Sequence, residues 1–71
     1  LGEVRNPGEY AYRPNMTVIN AVSLAGGYTF RANQKRVAII RQVNGQAITS
    51  AAAETTPIQP GDTVRVLERW F

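Results

Sequence analysis

The sequence predicts an α+β fold in which one short helix packs on one face of a mixed β-sheet. Three observations carry that expectation. From Thr17 to Ala25, the residues Val18, Ala21, Val22 and Ala25 fall at i, i+3, i+4 and i+7, a single apolar stripe on a helix. Arg36 to Val43 is rich in Val and Ile and runs into Asn44-Gly45, a pair that accepts the two positive φ angles of a type I′ hairpin. Thr63 to Glu68 alternates Val64 and Val66 against Thr63 and Arg65, the period of two that marks a half-buried strand.

Taken in order, Gly2-Glu3-Val4-Arg5-Asn6-Pro7-Gly8-Glu9-Tyr10-Ala11-Tyr12 reads as two short strands around a Pro-Gly turn. Pro7 presets φ at the second turn position, and Gly8 tolerates the positive φ that a type II turn needs next. Tyr10 and Tyr12, two residues apart, are expected on one face of the second strand, which Pro14 and Asn15 end. Thr17 is the expected N-cap of the helix, its hydroxyl able to accept a free backbone N–H. Leu24 widens the apolar stripe, and Gly26-Gly27 supplies the left-handed residue that closes the helix. Nine residues span only about 13 Å. A helix this short does not persist alone in water, so it must be packed across a sheet.

Tyr28 to Lys35 is a polar-aromatic connection into the strand Arg36 to Val43. In that strand Val37, Ile39 and Val43 share one parity and Ala38 and Ile40 the other, so both faces are partly covered. Gln46 to Thr49 is expected to return antiparallel, pairing Val43 with Gln46 and Arg41 with Ile48. Ser50 to Thr56 reads as either a helical turn or a loop. Pro57-Ile58-Gln59-Pro60-Gly61-Asp62 is a second Pro-Gly turn, in which Asp62 is expected to accept backbone N–H bonds. The predicted order is β-β-α-β-β-β. With the last strand parallel to and beside the first, and a right-handed crossover, this is the β-grasp, or ubiquitin-like, arrangement.

Composition narrows the function. Seventy-one residues make one small domain, and 44% hydrophobic against 18% charged residues is the balance of a folded chain rather than a disordered one. There is no cysteine and no histidine. Disulfides, thiolate nucleophiles, histidine acid–base chemistry and almost every zinc site are thereby excluded. Asp62 is the sole aspartate, and Glu3, Glu9, Glu54 and Glu68 show no paired spacing, so the chain is not expected to be an enzyme. Neither a cofactor nor a metal ion is expected. No apolar run approaches the ~20 residues that a membrane-spanning helix needs. The chain opens on Leu1 with Val4 close behind, so residues 1–71 are expected to be one domain of a longer protein with its first strand partly truncated.

The motifs themselves resemble a known family. Gly2-x-Val4-x-Asn6-Pro7-Gly8-x-Tyr10, then Thr17-Val18-x-x-Ala21-x-x-x-Ala25-Gly26-Gly27-Tyr28, then Pro57-Ile58-x-Pro60-Gly61-Asp62-x-Val64-x-Val66 are similar to the SLBB (soluble-ligand-binding β-grasp) domain. Tyr28-Thr29-Phe30-Arg31-Ala32-Asn33-Gln34-Lys35-Arg36-Val37 and the ending Glu68-Arg69-Trp70-Phe71 resemble, more narrowly, the C-terminal domain of the outer-membrane polysaccharide export proteins. The Ala51 to Ala53 stretch departs from that pattern, where relatives often carry a longer acidic-apolar segment. The resemblance implies a non-catalytic module of a periplasmic ring at the outer membrane, through which capsular polysaccharide or exopolysaccharide passes. It implies as partners a weakly and transiently held polysaccharide, further copies of the protein, and an inner-membrane polymerisation or export partner. The alternative within the same family is a module that binds a small soluble ligand or docks a protein partner. A DNA-binding module is the more distant alternative.

Each motif also has a structural reading. Gly26-Gly27 follows a helix C-terminus, whereas phosphates bind at N-termini, so the pair is a cap and not a phosphate cradle. The net charge is +3 with a sequence pI near 10.0, but Arg5, Arg13, Arg31, Arg36, Arg41, Arg65 and Arg69 are spread over every element. A nucleic-acid footprint needs cations converging on one face, and no nucleic-acid partner is expected. Arg41 and Arg65 are expected to share the exposed face of the sheet. The aromatics suit either stacking on sugar rings or filling a core or interface. Tyr28, Arg31, Asn33 and Lys35 are the candidate polysaccharide contacts. Tyr10, Tyr12, Arg65, Trp70 and Phe71 are the interface candidates. Pro7, Gly8, Thr17, Gly26, Gly27, Asn44, Gly45, Pro60, Gly61 and Asp62 are read as turn and cap residues.

Overall fold

A computed structural model describes residues 2–69. The chain forms helix α1 (Val18–Leu24), then strands β1 (Ala32–Val43), β2 (Gln46–Ala52) and β3 (Thr63–Glu68). The three strands make one antiparallel sheet in the order β2-β1-β3, so the class is α+β. Asn44 and Gly45 both take positive φ, at 51° and 81°, and the hairpin they close pairs Val43 with Gln46 and Arg41 with Ile48, the register expected. Val37 and Ile39 are buried on one face of β1, with Val66 of β3 across from Val37. Val18 and Val22 of α1 join them, together with Met16, Ala32 and Ile58, in a single core cluster.

The helix is tied at both ends. At its start, Asn20 Oδ1 accepts bonds from the Thr17 N–H at 3.0 Å and from the Thr17 hydroxyl at 2.9 Å. The next two N–H groups are satisfied from far along the chain: Val18 donates to Thr56 O and Ile19 to Glu54 O, at 3.0 and 2.9 Å. The ambiguous stretch from Ser50 is thus resolved as strand through Ala52, followed by a turn whose carbonyls cap α1. At the other end Gly26 takes φ +85° and donates to Ser23 O, while Gly27 donates to Val22 O. These are the two bonds of a Schellman closure.

The amino-terminal strands differ from expectation. Residues 2–6 touch the fold through two isolated bridges, Gly2 with Val66 (parallel) and Val4 with Tyr28 (antiparallel). The parallel bridge stands where a β-grasp would place a full first strand. Glu3 donates to Val66 O, Arg5 to Gly27 O and Asn6 to Ala25 O, so both sides of this segment are already engaged. No ladder is left for Glu9 to Tyr12, which forms no strand. Gly8 does not take a positive φ, so the expected type II turn at Pro7-Gly8 is absent. Among the described residues, the backbone groups of residues 8–12 have no hydrogen-bond partner. Two further bounds shift: β1 starts at Ala32 rather than Arg36, with a register break between Ala32 and Val37, and β2 runs three residues beyond Thr49.

Candidate functional site

The four candidate contact residues separate into an internal brace and an exposed row. The Tyr28 ring packs against the core cluster, and its hydroxyl donates to Glu54 Oε2 at 2.5 Å. Burial, followed by the adjacent Glu54 carboxylate, pushes the phenol up to about 12. Tyr28 therefore ties the connection to the loop that caps α1. Arg31 lies over the Phe30 ring, 5.5 Å from its centroid, and donates to Glu68 Oε2 at 3.1 Å. An exposed pair of this kind stabilises by at most about 1 kcal/mol, so Arg31 is free to exchange partners. Asn33 Oδ1 accepts the Lys35 N–H at 3.1 Å, and Lys35 is exposed. Of the interface candidates, Tyr10, Tyr12 and Arg65 lie on the surface or partly so, and Trp70 and Phe71 fall outside the described residues.

The two arginines expected on one sheet face lie on opposite faces. Arg41 has the parity of Val37 and Ile39, whereas Arg65 sits across from Ala38. Arg41 instead grips the Pro60-Gly61 turn through a bidentate pair, Nε to Asp62 Oδ1 at 2.9 Å and Nη2 to Asp62 Oδ2 at 2.8 Å. The Asp62 side chain is 1% exposed, and its Oδ2 also accepts the Gln59 N–H at 2.8 Å. The Arg41 bonds, helped by the Gln59 N–H, hold the Asp62 carboxyl below the usual carboxylate range. The turn role read for Asp62 is present; its ion-pair partner was not foreseen, although the parity of Arg41 and the lone aspartate were both visible.

A cleft of about 440 Å³ opens between the unpaired segment 7–12 and the core. Met16, Val22 and Ile58 form its floor, Tyr10 and Tyr12 stand on one wall, and Gln59, Gly61 and Asp62 stand on another. The Tyr10 hydroxyl donates to Asn6 O at 2.5 Å, which fixes that ring at the rim. Among the described residues no three of His, Cys, Asp or Glu are grouped to hold a metal ion, and no helix is long and apolar enough to cross a membrane.

The SLBB domain profile matches residues 1–51 of the 71. The chain belongs to the SLBB domain family. This SLBB domain is 57% identical over 37 residues, 52% of its length, to the exopolysaccharide production protein ExoF of Rhizobium meliloti (strain 1021). It is 32% identical over 69 residues, 97% of its length, to the polysialic acid transport protein KpsD of Escherichia coli. It spans only 9% of the first protein and 12% of the second. No solved structure matches it significantly.

Proposed function

We propose that this SLBB domain is a non-catalytic module of a polysaccharide export apparatus in the cell envelope. The observation that supports this most is the similarity, along 97% of the chain, to a polysialic acid transport protein. The stronger but shorter similarity to an exopolysaccharide production protein points the same way. The side chains agree with a non-catalytic role. Glu3, Glu54, Asp62 and Glu68 each accept a hydrogen bond within the fold, from Thr29, Tyr28, Arg41 and Arg31 respectively, so these acids serve as internal ties.

In the full-length protein the domain would sit in the periplasm beside the outer membrane, where copies pack into a ring around a lumen. An inner-membrane polymerisation or export partner would deliver the polymer. Arg31 just before β1, with half-buried Asn33 and exposed Lys35 among the first residues of that strand, would offer it donors. Contacts must stay weak, because a tightly held polymer would stall, as in channel conduction. The test is to excise residues 1–71 in frame from their gene while confirming the protein level by immunoblot. Cell-surface polysaccharide should fall sharply; undiminished surface polysaccharide with stable truncated protein would overturn the reading.

A further inference from the structure

We propose that the cleft beneath Tyr10 and Tyr12 is a binding site for uncharged sugar residues of the polymer, one or two at a time. This rests on the export reading above and adds the place and the chemistry of contact. Shape is the first ground. A volume of about 440 Å³ falls within the range of roughly 300–1,000 Å³ typical of small-molecule sites. The floor is apolar and belongs to the core through Met16, Val22 and Ile58.

The second ground is the wall. Tyr10 and Tyr12 stand on one segment and are 45% and 39% exposed, large rings that the core leaves half uncovered. A pyranose carries C–H groups on its face and hydroxyls around its edge. A tyrosine matches this pattern, apolar across the ring and polar at the tip. Tyr10 is already held by its bond to Asn6 O, and Asn6 by its N–H bond to Ala25 O, so this ring loses little freedom on binding.

Hydrogen bonding supplies the third ground. The backbone N–H and C=O groups of residues 8–12 have no partner among the described residues, and the Gln59 side chain stands on the facing wall. Sugar hydroxyls can take the place of water on these groups at nearly equal enthalpy, which gives orientation with little gain in affinity.

Charge then selects among sugars. The chain carries +3, yet no lysine or arginine lines the cleft. Its two acids are Asp62, neutralised by the bidentate Arg41, and Glu9, which has no salt-bridge partner among the described residues. A carboxylate-bearing sugar would meet the Glu9 carboxylate with no cation among the lining residues to offset it, and an uncharged one would not.

The test is a backbone-amide titration of the isotope-labelled 71-residue chain with cellotetraose, maltotetraose and tetrasialic acid. A neutral tetrasaccharide should shift residues 8–12 and 59–62 with a millimolar Kd, and tetrasialic acid should bind there more weakly. Tyr10→Ala with Tyr12→Ala should raise the Kd about tenfold, the sum of two lost aromatic contacts. If that double variant unfolds, Gln59→Arg serves instead, because Gln59 holds its turn through backbone groups and a long side chain there would fill the mouth. Silence toward all neutral probes, unchanged affinity in the variants, or shifts confined to residues 28–35 would overturn the site. Tighter binding of tetrasialic acid would overturn its preference for uncharged sugars. Shifts of residues 8–12 that depend on protein concentration alone would mean that a second copy fills the cleft, and would also overturn it. Loss of export on in-frame excision alongside a silent titration would retire the cleft alone; intact export after excision would retire the export reading.

Discussion

Two adjacent glycines, Gly26 and Gly27, share a backbone conformation and differ in their surroundings, which makes them a controlled pair. Their φ angles are +85° and +90°, so an L residue at either is strained. The left-handed region costs such a residue about 1–2 kcal/mol. Reduced freedom of the unfolded chain returns roughly 0.4–1 kcal/mol. A Cβ at Gly27 meets nothing within 4 Å, so Gly27→Ala should cost only this balance, about 1 kcal/mol. A Cβ at Gly26 would lie 2.6 Å from Asn6 Nδ2 and 3.2 Å from Arg5 Cβ. The Asn6 amide can rotate away, but the Arg5 Cβ moves only with its backbone. That backbone is held by Arg5 N–H to Gly27 O at 3.0 Å and by Asn6 N–H to Ala25 O at 2.8 Å. Each such bond contributes about 0.5–1.5 kcal/mol net, so Gly26→Ala should cost about 2–3 kcal/mol in all. Urea melts followed by far-UV circular dichroism, with matching slopes, read this difference directly. In thermal melts each kcal/mol corresponds to about 4–8 °C for a domain of this size. A loss at Gly27 equal to or greater than that at Gly26 would refute the packing of residues 5–6 against the helix cap.

Two titration predictions follow from the ion pair and the half-buried phenol. Because the folded Asp62 carboxyl is depressed, its contribution is present at neutral pH, above the unfolded value near 4, and is lost as pH falls through the folded value. Asp62→Asn should lower stability by about 2 kcal/mol at neutral pH, and the gap from wild type, measured by urea melts, should close in acid. Tyr28 is raised from 10.0 to about 12, so its contribution is intact below pH 10 and is lost as pH rises from there toward 12. Tyr28→Phe should cost about 1 kcal/mol at neutral pH and should lack that alkaline loss; identical alkaline profiles for variant and wild type would refute the half-buried phenol and its Glu54 tie.

What could be read from the sequence followed the range of the interactions. The Asn44-Gly45 hairpin is specified by adjacent residues, and its register appears as expected over its whole length. The helix stripe is likewise local. The Pro7-Gly8 signal misled because the partners of residues 2–6 are residues 25–29 and Val66, whose positions no local pattern reveals. The same reason hid the helix cap, built from carbonyls of residues 54 and 56. In the candidate site, Arg31 and Lys35 were visible as an exposed polar row, whereas the Tyr28–Glu54 tie joins residues 26 apart. The cleft was invisible because segments from three parts of the chain bound it.

The most direct test of the central claim is polysaccharide at the cell surface, measured in cells whose gene lacks residues 1–71 in frame and in cells with the intact gene. The account predicts that surface polymer is lost, polymer accumulates inside the envelope, and the truncated protein persists. Surface polymer at the intact level, with the truncated protein present, would contradict it.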